Sequence, residues 1–499
     1  MFDKVLIANR GEIAVRVIRA CREEGLATVA VHSEPDAVAP HVLSADEAVA
    51  IGPAPASRSY LGIARLLEAA RATGAGAIHP GYGFLAESAA FARAVEDAGL
   101  VFIGPPAEAI EAMGDKTRAR ARMGEAGVPI VPGSPPLADL AAARAAAEEI
   151  GYPVMLKAAA GGGGKGMRTA TDAAELEAGF ERAVREATQA FGDGRVYLER
   201  FLRRPRHIEI QVLADEHRVL HLGERECSIQ RRHQKLIEEA PSGALDADLR
   251  ARMGAVAVRA AETVGYRGAG TVEFLFEDGE FFFLEMNTRI QVEHPVTELV
   301  TGVDLVREQL RVARGGAALD GSDPPDPRGH AMECRIGAED PARGFLPSRG
   351  RIEALDVPSG PGVRWDGGIR RGFEVGLDYD SLLGKLIVHA ETRRRAIDRM
   401  RVALTELRIE GVATTAPFHL AVMDEPDFRA GDLSIRYVEE HPELAPDVDE
   451  DLRDAALAVA LAFASERGRA TGLGHALDGR VASHAAPTLS AWVRALEDT

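Results

Sequence analysis

The chain has 499 residues, of which 46% are hydrophobic and 27% are charged, a composition typical of a globular protein with room for two to four domains. Its formal net charge of −18 at pH 7 argues against a nucleic acid partner, because phosphate recognition needs a basic surface. Three widely separated cysteines predict no disulfide framework, and the lack of a signal peptide or a long apolar run predicts a cytoplasmic protein without membrane spans.

Residues 1–114 alternate short apolar runs with helical patterns. Strands at 4–8 and 27–32 flank a helical pattern that begins after Asn9, Arg10 and Gly11. This strand–helix–strand order predicts a Rossmann-like α/β domain over residues 1–114. The other elements predicted in this domain are strands at 48–51, 77–80 and 101–104 and helices near 60–73 and 87–98.

Residues 115–330 predict a second, α+β domain. Within it, a compact piece over about 133–203 carries a strand, a glycine-rich segment, a second strand and a helix, and we expect this piece to move as a lid. After a proline-rich boundary, residues 331–444 are β-rich and predict a third domain. Residues 445–499 predict a helical extension whose role the sequence does not reveal.

The segment 160–166, A-G-G-G-G-K-G, predicts a phosphate-binding hairpin. It matches neither a Walker A loop, since Gly166 follows Lys165, nor a dinucleotide fingerprint, since a strand follows rather than a helix. Glycine amides between two strands can close over phosphates. Lys116 and Lys157 are the cations that a triphosphate would need. The alternative is an ordinary flexible hairpin tip with two surface lysines.

Two glutamates on consecutive strands predict a metal site. Glu273 and Glu285 are separated by a short turn around Asp278 and Gly279. A two-residue turn would place them on opposite faces of the hairpin, whereas a three-residue turn would place them side by side. With Asn287 they would offer hard oxygen ligands suited to Mg²⁺. The alternative is a pair of acids exposed to water.

Residues 285–295 read E-M-N-T-R-I-Q-V-E-H-P. In an extended strand, alternate side chains share a face, which would place Arg289, Gln291 and Glu293 beside Glu285. The segment 224–235 is also dense in charge and by itself would be a solvated loop. Beside a phosphate site it would supply groups for a second anion and a ribose, with Cys227 as a packing residue rather than a nucleophile.

Several longer strings add to these features. They are I-A-N-R-G-E-I-A at 7–14, H-P-G-Y-G-F-L-A-E at 79–87, M-G-D-K at 113–116, R-H-I-E-I-Q at 206–211, S-I-Q-R-R-H-Q-K at 228–235 and the 285–295 motif. Together they resemble the biotin carboxylases, which are ATP-grasp enzymes, over about residues 1–440. The resemblance implies an ATP-grasp domain with a mobile lid over 115–330 and a C-terminal biotin carboxylase domain over 331–444.

The resemblance also implies roles for individual residues. It assigns ATP binding to Lys116, Lys157, Gly163, Gly164, Glu199, Arg200, Phe201, Leu202, His207, Gln230 and His233. It assigns Mg²⁺ or Mn²⁺ to Glu273, Glu285 and Asn287. It assigns bicarbonate to Lys235, Arg289, Gln291 and Val292, with Glu293 as general base, and the biotin ureido oxygen to Arg335.

The resemblance further implies partners. No Met-Lys-Met biotin attachment motif occurs in the sequence, so biotin would arrive on a separate carrier protein and pass its carboxyl group to a carboxyltransferase. The chain would be a homodimer, with Arg16, Arg19 and Glu23 at the interface, and a subunit of acetyl-CoA or another acyl-CoA carboxylase in fatty acid biosynthesis. Alternatives are a two-subunit pyruvate carboxylase and, less in keeping with Arg289, Glu293 and Arg335, an ATP-grasp carboxylate–amine ligase.

Overall fold

The structure, a computed structural model, describes residues 2–158, 168–191 and 194–445. The predicted helical extension therefore lies outside the described residues, apart from Ala445. Among the described residues, no helix combines the length and the apolarity that crossing a bilayer requires.

A five-stranded parallel sheet of order β3-β2-β1-β4-β5 forms the centre of the N-terminal region. Side chains alternate across β1: Val5 and Ile7 pack with Ile13 of the first helix on one face, and Leu6 packs with Leu66 on the other. This confirms the predicted Rossmann-like α/β fold. The elements are β1 (Lys4–Ile7), α1 (Gly11–Glu23), β2 (Ala27–Ser33), α2 (Pro40–Ser44), β3 (Glu47–Gly52), α3 (Ile63–Thr73), β4 (Ala77–His79), α4 (Ala89–Asp97), β5 (Val101–Phe102) and α5 (Ala107–Gly114).

A small antiparallel sheet of order β7-β6-β8 follows. Two helices cover it, because Ala143 and Ala147 of one and Leu176 and Phe180 of the other pack against Leu156. The predicted phosphate-binding residues Gly163 and Gly164 lie outside the described residues. The elements here are α6 (Lys116–Glu125), α7 (Leu140–Ile150), β6 (Val154–Ala158), β7 (Arg168–Ala170), α8 (Ala173–Phe191) and β8 (Val196–Arg200).

An antiparallel sheet of eight strands connects the next region with the C-terminal region. Its order is β13-β12-β9-β10-β11-β14-β21-β19, in which β14, β19 and β21 are the C-terminal strands His330–Gly337, Val363–Gly367 and Leu382–Ala390. Ile237 pairs with Cys334 where the two regions join. The elements from 206 to 313 are β9 (Arg206–Ala214), β10 (Val219–Arg231), β11 (Gln234–Ala240), α9 (Ala247–Thr263), β12 (Gly268–Glu277), β13 (Glu280–Asn287), α10 (His294–Thr301) and α11 (Leu305–Ala313).

The C-terminal region is β-rich, as predicted. Its helices pack on the outer face of the large sheet, with Ile397 and Met400 against Leu386 and Val388. The elements are β14 (His330–Gly337), β15 (Glu339–Asp340), β16 (Leu346–Pro347), β17 (Gly350–Arg351), β18 (Ala354–Asp356), β19 (Val363–Gly367), β20 (Glu374–Val375), β21 (Leu382–Ala390), α12 (Arg393–Glu406), β22 (Arg408–Glu410), α13 (Ala416–Asp424), α14 (Pro426–Ala430) and α15 (Tyr437–Glu440).

The alternative of a solvated loop does not hold for the charged segment 224–235, because β10 and β11 run through it and turn at Arg232 and His233, whose φ angles are 50° and 66°. The 285–295 motif is not one strand either. Strand β13 ends at Asn287 and α10 begins at His294. Pro295 accounts for the start of α10, since proline suits the first turn of a helix.

Candidate active site

A β-bulge places the two predicted acidic metal ligands side by side. Asp278 and Gly279, with φ angles of 52° and 81°, form a two-residue hairpin turn of the kind that positive φ angles favour. That turn alone would set Glu273 opposite Leu284. The register shifts by one residue beyond Phe274, so Glu273 pairs with Glu285. The turn therefore has two residues, which alone would place the glutamates on opposite faces of the hairpin. The extra residue at Leu284 places them side by side, the arrangement expected from a three-residue turn.

Three oxygen donors suited to a hard divalent cation result. Asn287 pairs with Thr271 and lies two residues beyond Glu285, on the same face of β13. Burial opposes ionisation of Glu273, but Lys235 and His207 outweigh it and hold the pKa of this carboxyl well below its usual value. Carboxylate and amide oxygens with this spacing match the ligands of Mg²⁺ or Mn²⁺.

Each of these three donors contacts a cationic side chain. Lys116 Nζ lies 2.6 Å from Glu285 Oε2, and Lys235 Nζ lies 2.8 Å from Glu273 Oε1. Arg289 donates from Nη2 to Asn287 Oδ1 at 2.7 Å. The same three cations are those that the sequence predicts for the anionic substrates, so the predicted metal ligands and the predicted anion-binding groups form one connected cluster.

Lys235 lies among three buried carboxylates. Its Nζ is 2.6 Å from Glu209 Oε2, 2.8 Å from Glu273 Oε1 and 2.6 Å from Glu293 Oε1. Burial disfavours the ammonium group, but these carboxylates outweigh burial and raise the pKa of Lys235 well above its usual value. Lys235 is therefore a permanent cation, and each of its three N–H donors has a carboxylate acceptor.

Glu293 lies between two cations. Besides Lys235, it accepts a hydrogen bond from Arg335 Nη2 at 2.9 Å, and Arg335 Nε donates to Glu238 Oε1 at 2.5 Å. Burial favours the protonated form of Glu293, and Glu209 acts in the same direction. Lys235 and Arg335 outweigh both, so the pKa of Glu293 lies below its usual value. Glu293 is ionised at neutral pH and can accept a proton.

The loop between β13 and α10 is tied to the N-terminal region. Glu87, the last residue of the 79–87 motif, accepts hydrogen bonds from the backbone N–H of Thr288 at 3.2 Å and from Arg289 Nε at 3.0 Å. At the other end of this loop, the Val292 carbonyl accepts a hydrogen bond from Lys385 Nζ at 2.6 Å. These contacts hold the Arg289 side chain and the Val292 backbone in place without a continuous strand.

Arg225 is a residue of the site that sequence reasoning missed. It is fully buried, and its five N–H groups all donate. The acceptors are Glu209 at 2.5 Å, Gln211 at 2.6 Å, Thr271 at 3.0 Å, Gln291 at 2.7 Å and Thr297 at 3.0 Å. Gln291 in turn donates to Glu273 Oε1 at 2.7 Å. An arginine alternating with acids in a strand-length segment was the available signal.

Lys157, predicted to bind the ATP phosphates, and the residues predicted to bind adenosine lie in two places. Lys157 contacts Glu199, as does Arg120. Arg200 stacks on Phe282 at 4.7 Å, in a cluster that includes Leu202, and the backbone N–H of Phe201 donates to the Pro153 carbonyl. These contacts belong to the small sheet and its junction with the large one.

The second group lies on the large sheet. His207 Nε2 is 3.2 Å from Glu273 Oε2. Burial disfavours imidazolium, yet Glu273 and Glu209 raise the pKa of His207 to about 9. Gln230 donates to the Cys227 carbonyl at 2.8 Å, and His233 lies at the β10–β11 turn. Burial raises the pKa of the Cys227 thiol well above its usual value, which favours packing over nucleophilic chemistry.

Family models match almost the whole described chain. Residues 1–110 match the biotin carboxylase N-terminal domain, 115–320 match the ATP-binding domain of the carbamoyl-phosphate synthase L chain, and 333–440 match the biotin carboxylase C-terminal domain. These matches agree with the resemblance drawn from the motifs.

Individual relatives support the same family assignment. The biotin carboxylase of Haemophilus influenzae is 52% identical over 442 residues, 88% of this chain and 98% of that protein. A pyruvate carboxylase subunit of Methanothermobacter thermautotrophicus is 54% identical over 443 residues, 88% of this chain and 90% of that protein. The solved biotin carboxylase domain dimer of Hydrogenobacter thermophilus 2-oxoglutarate carboxylase, in complex with MgADP, ADP and bicarbonate, is 50% identical with a TM-score of 0.80, covering 90% of this chain and 100% of that one.

Proposed function

Because the chain belongs to the biotin carboxylase family, we propose that it carboxylates biotin carried on a separate biotin carboxyl carrier protein, using ATP and bicarbonate and passing through carboxyphosphate. The observation that carries this proposal is the position of Glu293, which is ionised between Lys235 at 2.6 Å and Arg335 at 2.9 Å. A base flanked by two cations suits an anionic substrate that must lose a proton before it attacks a phosphate.

The cations beside Glu293 would bind bicarbonate. Lys235 and Arg289 would bind its charge, while Gln291 and the Val292 backbone would orient it. Glu293 would then accept the bicarbonate proton, since its low pKa keeps it ionised. Arg225 holds Gln291 and Glu209 and thereby fixes the geometry of this subsite.

Nucleotide binding would use the groups around the small sheet and β10–β11. Lys116 and Lys157 would contact the phosphates together with Gly163 and Gly164, and the adenosine would contact Glu199, Arg200, Phe201, Leu202, His207, Gln230 and His233. Glu273, Glu285 and Asn287 would hold Mg²⁺ or Mn²⁺, which neutralises phosphate charge during transfer.

We also propose that residues 133–203 close as a lid, because carboxyphosphate hydrolyses in water and a closed site would protect it. The proposed domains are residues 1–114, 115–330 and 331–444, followed by the extension at 445–499. The small sheet has its own apolar core, as a piece that moves as a unit requires.

Arg335 would meet the ureido oxygen of biotin. Its guanidinium bridges Glu293 and Glu238 and is one-fifth exposed, so it can reach a ligand while its carboxylate partners hold it. Stabilising the charge that develops on the ureido oxygen is the role that a fixed guanidinium can perform. We propose that biotin is carried on a separate protein; the 499 residues contain no Met-Lys-Met motif.

The remaining alternatives differ in the molecule that finally receives the carboxyl group. We propose a subunit of acetyl-CoA or another acyl-CoA carboxylase, paired with a carboxyltransferase. A two-subunit pyruvate carboxylase is the second candidate, since the Methanothermobacter relative is 54% identical. Reconstitution with the carrier and carboxyltransferase of the same organism, offered acetyl-CoA, propionyl-CoA, pyruvate and 2-oxoglutarate in turn, distinguishes them by which product forms.

A homodimer is also proposed, since the solved relative is a domain dimer. Arg16 is buried and contacts Glu298 at 2.9 Å and Asp304 at 2.6 Å within its own chain, so its replacement would disturb the fold. Arg19 and Glu23 on the same helix are exposed and make better probes. We expect Arg19→Glu to shift the protein toward monomer in light scattering; an unchanged dimer would exclude this face.

The carboxylation itself is tested with labelled bicarbonate. Purified protein with Mg·ATP, carbon-labelled bicarbonate and free biotin should form labelled carboxybiotin. A phosphorylated or amide product from another acid, with no label in biotin, would favour the carboxylate–amine ligase instead.

A further inference from the structure

Two buried glutamates lie on neighbouring strands beside Arg335: Glu238, which holds its guanidinium, and Glu333, which has no place in the chemistry above. Glu333 on β14 pairs directly opposite Glu238 on β11, and both residues are fully buried. Within the described ranges, neither carboxyl oxygen of Glu333 has a hydrogen-bond partner, and Glu238 Oε2 also lacks one. Glu238 Oε1 accepts from Arg335 Nε at 2.5 Å. Buried polar atoms are almost always hydrogen-bonded, so three unpartnered oxygens across one strand pair require an explanation.

The surroundings keep water away, and the nearby lysines already contact other groups. Helix α10 covers this face, with Val296 and Val300 packed against Ala331 and Ile387. Lys385 lies opposite Arg335 on β21, but its Nζ donates to the Val292 carbonyl at 2.6 Å and lies 3.1 Å from Glu12. The charged groups that act on the pair from its neighbouring elements are Arg335, Lys385, Lys235 and Glu293.

Two ionised carboxylates cannot share such a place. Cross-strand side chains lie about 5 Å apart, and like charges at that distance repel strongly where water is excluded. Arg335 is already shared between Glu238 and Glu293. Burial, aided by Glu293, raises the pKa of Glu238 to about 7, and burial with Glu238 raises that of Glu333 well above its usual value.

We propose that Glu238 and Glu333 share one proton and act as a singly charged anchor that positions Arg335 in the biotin site. The pairing of Glu333 directly opposite Glu238 gives its unpartnered carboxyl group a neighbour with which a proton can be shared. Glu333 is a positioning residue, since it acts on Arg335 through Glu238. The proposal rests on the biotin-binding role of Arg335 given above.

The anchor makes biotin binding depend on pH. Loss of the shared proton to solvent leaves two negative charges behind Arg335, which attract the guanidinium toward Glu238 and away from biotin. One pH unit above the apparent pKa of the pair, the singly charged form falls about tenfold. The KM for biotin of the wild-type protein should therefore rise by about tenfold per pH unit in this range.

Glu333→Gln tests the proposal, because the amide can donate to Glu238 but cannot lose a proton. Infrared spectra of the wild-type protein without substrates should show the carbonyl stretch of one buried protonated carboxyl group well above pH 4.3, the usual pKa of glutamate. That band should be absent in Glu333→Gln, and the KM for biotin of this variant should lose its alkaline rise. Glu239→Gln is the matched control: Glu239 is equally buried but contacts Arg393 at 2.7 Å and His330 at 2.7 Å, and its pKa is lowered to about 2, so the band should persist.

Stability gives a second readout. Because the folded state keeps a proton that the unfolded chain releases above pH 4.3, wild-type stability falls as pH rises through the raised pKa. The melting temperature of Glu333→Gln relative to wild type should therefore increase with pH. An unchanged infrared band, or a biotin KM that rises with pH as in wild type, would overturn the proposal. If the variant does not fold, the infrared band of the wild-type protein still tests the proposal. Absence of that band above pH 4.3 would show that Glu238 and Glu333 do not share a proton. Lack of biotin-dependent turnover with the band present would count against the biotin role of Arg335 alone.

Discussion

Replacing Arg225 by methionine should destabilise the large sheet and weaken bicarbonate binding together. The side chain is fully buried and donates five hydrogen bonds, one of them to the Glu209 carboxylate. Methionine keeps much of the length of the side chain but supplies no donor. Four neutral acceptors and one carboxylate then lose a partner at the same time.

The magnitude follows from the geometry. Removing one member of a buried ion pair costs about 3–5 kcal/mol. Adding a full penalty for every lost acceptor would overcount, because such terms are not additive within one network, and Glu209 still contacts Lys235 at 2.6 Å. We therefore expect the free energy of unfolding to fall by about 3–5 kcal/mol, which lowers the Tm of the protein by roughly 6–20 °C.

Calorimetry and steady-state kinetics provide the assays. Arg401→Met is the matched control: Arg401 is half exposed and contacts Asp424 at 2.8 Å. Since exposed ion pairs contribute little, its Tm should change by less than about 4 °C. The Arg225→Met variant should also raise the KM for bicarbonate, because Gln291 loses the donor that holds it. Equal melting temperatures for the two variants would refute the assignment of Arg225 as the centre of this network.

Three further predictions concern the site. Glu293→Gln should reduce bicarbonate-dependent ADP release by about 10²–10⁴-fold while nucleotide affinity, measured by fluorescence titration, stays unchanged; normal turnover would refute the general base. Lys235→Met removes the strongest group lowering the pKa of Glu293, so the acid limb of residual ADP release should move to higher pH, and an unmoved limb would contradict the coupling. Glu285→Gln should raise the Mg²⁺ concentration needed for half-maximal ADP release by about tenfold or more; an unaltered requirement would exclude Glu285 as a metal ligand.

Much of the fold follows from local pattern. Apolar runs such as residues 4–8 alternate with helical patterns, and that order is enough to predict the parallel N-terminal sheet. Glu273 and Glu285 could be assigned to a hairpin because strands with a short Asp-Gly turn between them are a strong local signal. In these cases neighbours in sequence determine the structure.

The rest depends on contacts that the local pattern does not contain. The bulge at Leu284 could not be predicted from strand periodicity, although it decides whether Glu273 faces Glu285. Arg225 looked like a solvent-exposed charge, because its acceptors come from four separate segments of the chain. From the sequence alone, Glu333 is an ordinary strand residue. Only the pairing of β11 with β14 places it opposite Glu238.

ADP release by the purified protein tests the central claim most directly. With Mg·ATP, release should depend on bicarbonate, because Glu293 accepts the bicarbonate proton. Release should increase when free biotin is added, because Arg335 contacts the ureido oxygen of biotin. Release that is independent of bicarbonate would contradict the account, since the site formed by Lys235, Arg289 and Glu293 would then act on a different acid.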